Sequence, residues 1–411
     1  MTSTTHQSAA HLDADDELAS YRDRFVGAQS PLVYLDGNSL GRPLRVTGER
    51  LRTFVEHEWG GRLIRGWDEA WMDLPLVVGD EVAAACLGAA PGQTTVGDST
   101  TVLLYKALRA AVAARPGRHE VVLDRDNFPT DRYVAAGVAD ELGLTLRWID
   151  VDTSAGVTLE QVQEVVGEQT AVVLLSHVAY RSAWLADAPA ITAAVHDAGA
   201  LVLWDLSHSV GSVPLELDAW GVDLAVGCTY KYLNGGPGSP AFVYVAERLH
   251  DGLRQPVPGW MGHADPFAMG PGWTPAPGIR RMVSGTPPVV GMLAVQDMLD
   301  LLEEVGMPAV RAKSVGLAEH VLALTDDLLA PLGVGVATPR EAQRRGGHVT
   351  LTHPAMREAT ARLWAADVVP DYRDPGGLRL GLSPLSTSYD EVARGMEAVR
   401  EVLADLTASD A

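Results

Sequence analysis

Residues Leu201 to Phe242 read LVLWDLSHSVGSVPLELDAWGVDLAVGCTYKYLNGGPGSPAF. An apolar run ends in Trp204-Asp205, the polar pair Ser207-His208 follows, and a second apolar run near Leu224–Gly227 leads to Tyr230-Lys231 and a group of glycines. Short apolar runs bounded by turn formers predict buried strands, each delivering a charged side chain at its end. The pattern continues outward. Strands are expected near Glu120–Leu123, Thr145–Ile149, Ala171–Leu175 and Ala241–Val245, and helices near Thr101–Ala114, Arg132–Leu142, Leu159–Val166 and Ala188–Ala198. Continuous apolar strands alternating with amphipathic helices predict an α/β fold, a mostly parallel sheet sandwiched by helices. Ligands of such sheets collect at the carboxyl ends of the strands, where Ser176, Asp205 and Tyr230-Lys231 fall.

From Pro288 the pattern changes to long helices, Val289–Val305 and Pro308–Leu332, then short strands near Val334–Ala337, His348–Thr352 and Leu378–Leu382 with helices Met356–Ala365 and Tyr389–Leu406. At 411 residues the chain is long for one core. The expected division is an N-terminal segment, 1–60, packing on both domains; a large ligand-binding domain, 61–287; and a smaller α+β domain, 288–411. The first 20 or so residues read as a loose tail leading into a short helix, and a further helix is expected over Arg45–Glu58.

With 32 basic and 53 acidic residues the formal charge is −21, which argues against nucleic acid and anionic membranes as partners. The two cysteines, Cys86 and Cys228, have no metal-ligand spacing, and no metal is expected. No apolar run of about 18 residues occurs, so the expectation is a soluble, cytoplasmic protein.

An acid closing one buried strand and a lysine closing another is the pair that pyridoxal phosphate chemistry requires. The lysine forms a Schiff base, and the acid keeps a proton on the pyridine nitrogen. Taken singly, Lys231 would be an exposed loop residue, and Asp205 has a helix N-cap as its alternative reading. Ser99-Thr100-Thr101 before a helical run places hydroxyls and free N–H groups where a phosphate could bind, or forms an ordinary cap. Phe128-Pro129-Thr130-Asp131 could stack on and serve a ring, or simply start a helix. His208 could lie beside the ring or be a structural histidine. Arg379, in a strand-like run, suits a bidentate grip on a carboxylate or else faces solvent.

The central segment resembles that of the kynureninase family, fold type I pyridoxal phosphate enzymes that hydrolyse L-kynurenine to anthranilate and L-alanine. YLDGNSLGRP, DSTTVLLYK, DNFPTDRY, GWMGH and SGTPP resemble the family in the same order, with a weaker match at GGLRLGLSPL. The resemblance implies that Lys231 is the Schiff-base lysine, Asp205 the pyridinium partner and Tyr230 a proton donor in later steps. It places Ser176, His208, Phe128 and Asp131 at the cofactor. Thr100, Thr101 and Tyr230 would bind the phosphate, with Trp260 and Thr286 from a second subunit of a homodimer. Arg379, Asn38, Trp67 and Gly285 would serve the substrate, either kynurenine or a ring-substituted analogue such as 3-hydroxykynurenine. A place in tryptophan catabolism by the kynurenine pathway, toward NAD, is implied with it.

Two stretches depart from the family pattern, Ala179 to Trp184 and Ser386. The competing readings are a β-lyase or desulfurase of the same fold and a noncatalytic binding protein. Cys228 and Cys86 lie in apolar runs unsuited to a desulfurase loop, and the presence of Lys231 counts against a noncatalytic role.

Overall fold

In the computed structural model, residues 8–409 are described; the first seven residues of the expected tail lie outside them. The chain opens with α1 (Ala9–Ala14), strand β1 (Val33–Tyr34), α2 (Arg45–Thr53), α3 (Gly60–Arg62) and α4 (Leu74–Val82). The helix expected over Arg45–Glu58 does not stay regular: it widens into a π-type turn at Phe54–Trp59. Then come β2 (Thr94–Val96), α5 (Thr100–Ala113), β3 (Glu120–Asp124), α6 (Pro129–Leu142), β4 (Thr145–Ile149), α7 (Leu159–Val165), β5 (Thr170–Ser176), α8 (Ala188–Asp197), β6 (Leu201–Asp205), β7 (Leu224–Gly227) and β8 (Phe242–Val245). Among the described residues β2 to β8 form one sheet, in the order β2-β8-β7-β6-β5-β3-β4. All pairs from β7 to β4 are parallel, while β8 and β2 are added antiparallel. The strand at Thr94–Val96 was not expected, because three threonine- and valine-rich residues leave no periodicity to read.

Strand alternation builds the two cores. Val202 and Trp204 of β6 face one side with Ile191 and Val195 of α8, while Leu201 and Leu203 face the other with Leu104 and Leu108 of α5. Trp204 is wholly buried, and its indole N–H donates to Thr192 Oγ1 at 3.2 Å, so its polar atom is satisfied inside the first core.

The C-terminal part consists of α9 (Val289–Val305), α10 (Met307–Leu324), β9 (Gly335–Val336), β10 (His348–Thr352), α11 (Met356–Ala365), β11 (Val368–Val369), β12 (Asp371–Arg373), β13 (Gly377–Gly381) and α12 (Tyr389–Ser409). Four of its strands form an antiparallel sheet, β12-β13-β10-β9. Although the composition changes at Pro288, the apolar face of α9 (Met292, Val295, Met298, Leu302) belongs to the large-sheet core. The start of α10 lies in that core, and its later residues Leu317 and Val321 pack with β10, β13, α11 and α12. The N-terminal segment touches both cores: Phe25 and Leu44 pack against the large one, whereas β1 pairs in parallel with β11 in the smaller lobe. No helix among the described residues is long and apolar enough to cross a membrane.

Candidate active site

The carboxyl ends of β3, β5, β6 and β7 converge on a cavity of about 150 Å³. Registered pairing sets Ser176 beside Asp205 and Asp205 beside Val226, so the strand ends are level and their following residues share one space. Ser99, Thr100, Thr101, Phe128, Thr130, Asp131, Ser176, Tyr180, Asp205, His208, Tyr230 and Lys231 line it. Residues singled out in the sequence, from Thr100 to Lys231, are thus brought together from segments far apart in the chain.

At one end α5 presents its first turn. Ser99 Oγ accepts from Val102 N at 3.4 Å, and the remaining free N–H groups and the hydroxyls of Thr100 and Thr101 are donors of the kind that suit an anion. The residue before them, Asp98, adopts φ of 52°, and its carboxylate holds the buried Lys106 Nζ at 3.1 Å. Lys106 also donates to Ser284 Oγ at 2.9 Å and to the Met282 carbonyl, tying the loop that carries Gly285 and Thr286 to this helix.

At the other end lie two carboxyl groups. Asp205 accepts from Ser207 N at 2.8 Å. Burial, then the charges of Asp205 and Asp124, push Asp131 well above the ordinary carboxyl range, which favours its protonated form. Its Oδ2 is buried without a hydrogen-bond partner, as is Nδ1 of His208. Burial, then the charge of Lys231, holds His208 well below the usual imidazole value, so its ring is neutral.

Lys231 lies between these ends, buried, with Nζ 5.8 Å from the Phe128 ring centroid and 5.9 Å from that of Tyr230. Burial lowers its pKa, which favours the free amine a nucleophile needs. The Tyr230 phenol is pushed upward by burial and stays protonated. Phe128 meets Tyr180 edge-on at 5.4 Å. Ser176 donates to Asn127 Oδ1 at 2.7 Å, which also accepts from Phe128 N and so sets the ring.

Pyridoxal phosphate fits this arrangement. A helix end with hydroxyls suits the phosphate, a lysine amine the aldehyde, an aromatic face the ring, and the acid pair with one orphaned oxygen suits a ring N–H.

Other expected residues lie elsewhere. Arg379 does not line the cavity; it is 2% exposed directly behind the wall, donating to the Tyr180 carbonyl at 2.8 Å and Ser39 Oγ at 2.9 Å. The Asn38 amide, turned to suit its neighbours, accepts from Arg379 Nε at 3.0 Å and donates to Asp36 at 3.2 Å, so it braces Arg379. Gly285 and Thr286 line an adjoining cleft of about 420 Å³ that shares Ser99, Thr100 and Tyr230 with the cavity. Trp67 packs edge-on against Trp71 at 5.4 Å in an apolar groove, and Trp260 stands at the surface against Phe267. Neither reaches the cavity of its own chain.

Of the departures, Tyr180 lines the cavity and Arg181 pairs with Asp126, while Ser386 is buried and accepts from Arg22 through its carbonyl. Sequence reasoning missed Asn127 and His348, a fully buried histidine whose ring meets His208 edge-on at 5.2 Å. A histidine opening a short, mostly buried strand, His348–Thr352, was the available signal for the last.

Comparison with known proteins adds the following. The family described as kynureninase C-terminal domain matches residues 310–399. The kynureninase of Pseudomonas fluorescens is 40% identical over 408 residues, covering 97% of this chain and 96% of its own length. That of Burkholderia pseudomallei strain 1106a is 40% identical over 404 residues, covering 97% and 95%. Among solved structures, the apo cysteine desulfurase of Thermococcus onnurineus NA1 superposes with a TM-score of 0.81 at 16% identity, covering 94% of this chain and 98% of that one. A C-DES mutant with glycine covalently linked to its PLP cofactor does so at 0.81 and 18% identity, covering 92% and 99%.

Proposed function

The chain belongs to the kynureninase family, and from that premise we propose how its residues divide the work. It is a pyridoxal-phosphate-dependent hydrolase that cleaves the Cβ–Cγ bond of L-kynurenine with water, giving anthranilate and L-alanine. The observation that carries the assignment of roles is the meeting of Lys231, the Asp205–Asp131 pair and the α5 terminus in one cavity. When bound, the cofactor supplies a cationic ring that accepts the electron pair released from the amino acid.

Asp205 holds the proton at the ring nitrogen, and the protonated Asp131 donates to Asp205 and keeps its charge in place. Thr100, Thr101 and the N–H groups of α5 grip the phosphate, and Phe128 and His208 flank the ring. Lys231 anchors the cofactor at its amine. Once substrate has displaced it, the depressed pKa suits it to take the Cα proton. The Tyr230 hydroxyl, kept protonated by burial, delivers a proton in the later steps. Arg379 holds the α-carboxylate.

The cytoplasm is the proposed location, tryptophan breakdown toward NAD the proposed pathway, and a homodimer the proposed assembly. For the dimer, support comes from the exposed groove formed by Trp59, Leu63, Ile64 and Trp67 and from the surface position of Trp260, apolar residues that a second subunit would cover. Trp67 and Gly285 then select the aryl ring, and Trp260 and Thr286 reach the phosphate, from across the interface.

The test is visible absorption of the purified protein with added pyridoxal phosphate, followed by anthranilate fluorescence on adding L-kynurenine or its 3-hydroxy analogue. Lys231→Ala is expected to lose the absorbance of the lysine-linked cofactor and to slow product release about a thousandfold or more. No anthranilate from either substrate would overturn the activity; a Lys231→Ala variant that kept wild-type turnover would overturn the role of the lysine.

A further inference from the structure

The guanidinium of Arg379 is already in use. Nε meets the Asn38 amide at 3.0 Å, Nη1 donates to the Tyr180 carbonyl at 2.8 Å, and Nη2 donates to Ser39 Oγ at 2.9 Å while lying 2.6 Å from Asp371 Oδ2. Arginine has five N–H donors in a fixed fork, so the three hydrogen bonds leave one on Nη1 and one on Nη2, and Asp371 Oδ2 stands against the latter without a well-directed hydrogen bond. A carboxylate gripped bidentately needs two parallel donors. An incoming carboxylate therefore cannot use the fork until one occupant leaves, and Asp371 is the occupant with the same chemistry.

Its placement favours that exchange. Antiparallel pairing of β12 with β13 sets Asp371 opposite Arg379. Arg373, two residues along β12 and so on the same strand face, lies 2.9 Å from the same Oδ2. Yet Oδ2 receives a well-directed hydrogen bond from neither, so the ion pair is close but poorly aligned. A carboxylate shared between two guanidinium groups can swing fully to Arg373 by rotating its side chain, without breaking the strand pairing. The Tyr180 carbonyl links Arg379 to the cavity wall, because the Tyr180 ring meets Phe128 edge-on.

We propose that Asp371 is a built-in stand-in for the substrate's α-carboxylate: it occupies the Arg379 fork when substrate is absent, passes to Arg373 on binding, and thereby sets the affinity for amino-acid substrates. The proposal rests on Arg379 as the carboxylate grip. Asp371 is a positioning residue that acts through Arg379 and touches no reacting atom.

The experiment compares kcat and KM for L-kynurenine, the Ki of L-alanine, and the Ki of the decarboxylated amine of kynurenine in the holoenzyme and its Asp371→Asn and Arg379→Lys variants. Asp371→Asn is expected to lower KM and the L-alanine Ki about fivefold, with kcat within about twofold and the Ki of the amine unmoved. Asp371→Ser, which also removes the carboxylate, must shift KM the same way, so poor folding of the Asn variant does not shelter the idea. A KM that stays level or rises in the Asp371 variants, while Arg379→Lys raises it, overturns the stand-in. An Arg379→Lys variant with unchanged KM overturns the carboxylate grip itself, whatever Asp371 does.

Discussion

Single residues show how far burial outweighs composition. Asp124 ends β3 almost fully buried, and burial with the neighbouring charge of Asp126 raises its pKa to about 7. A carboxyl whose folded pKa is raised binds its proton more tightly in the native state. It therefore weakens the fold progressively as pH climbs from the ordinary carboxyl value to about 7, and by a constant amount above. Asp124→Asn should raise the melting temperature by about 3 °C at pH 8 and leave it unchanged at pH 4. An equal shift at both pH values would show that Asp124 is not the titrating group. Lys231 and Asp205 could be read from their positions at strand ends. The upward push on Asp131 could not, because it follows from burial and then from the charges of Asp205 and Asp124 rather than from its own neighbours in sequence.

At the scale of elements, most helices and central strands were legible because their apolar period is sustained over many residues. The strands missed, β1, β2, β11 and β12, have two or three residues each and exist only through their pairing partners, and the nine-residue helix α4 was missed as well. The α5 terminus shows why an element can matter beyond its period. Its Lys106 is wholly buried and holds Asp98, Ser284 and the Met282 carbonyl. Lys106→Met leaves the buried Met282 carbonyl without its donor, with Asp98 and Ser284 in more exposed positions, and should cost about 1–2 kcal/mol of stability. It should also weaken pyridoxal phosphate binding, read by cofactor titration. Loss of stability with unchanged cofactor affinity would mean that the 282–286 loop does not depend on this anchor.

For the whole molecule, the exposed apolar groove is the feature a lone subunit does not explain. Ile64 is 77% exposed and Leu63 58%. Placing a charge there should split the proposed dimer: Ile64→Asp is expected to run as a monomer in light scattering and to lose most activity, because Trp67, Thr286 and Trp260 would no longer complete a neighbouring site. A fully active monomer would refute that assembly. By itself the sequence determined the α/β class, the pairing of Asp205 with Lys231 and the family likeness, because these depend on local periodicity and on residues placed at the ends of neighbouring strands. Only the tertiary structure decided that Asp131 is pushed toward its protonated form, that Asn38 braces Arg379 rather than facing the cavity, and that Asp371 stands against the Arg379 fork. Those outcomes depend on desolvation and on distances between segments far apart in the chain, and both arise only when those segments pack together.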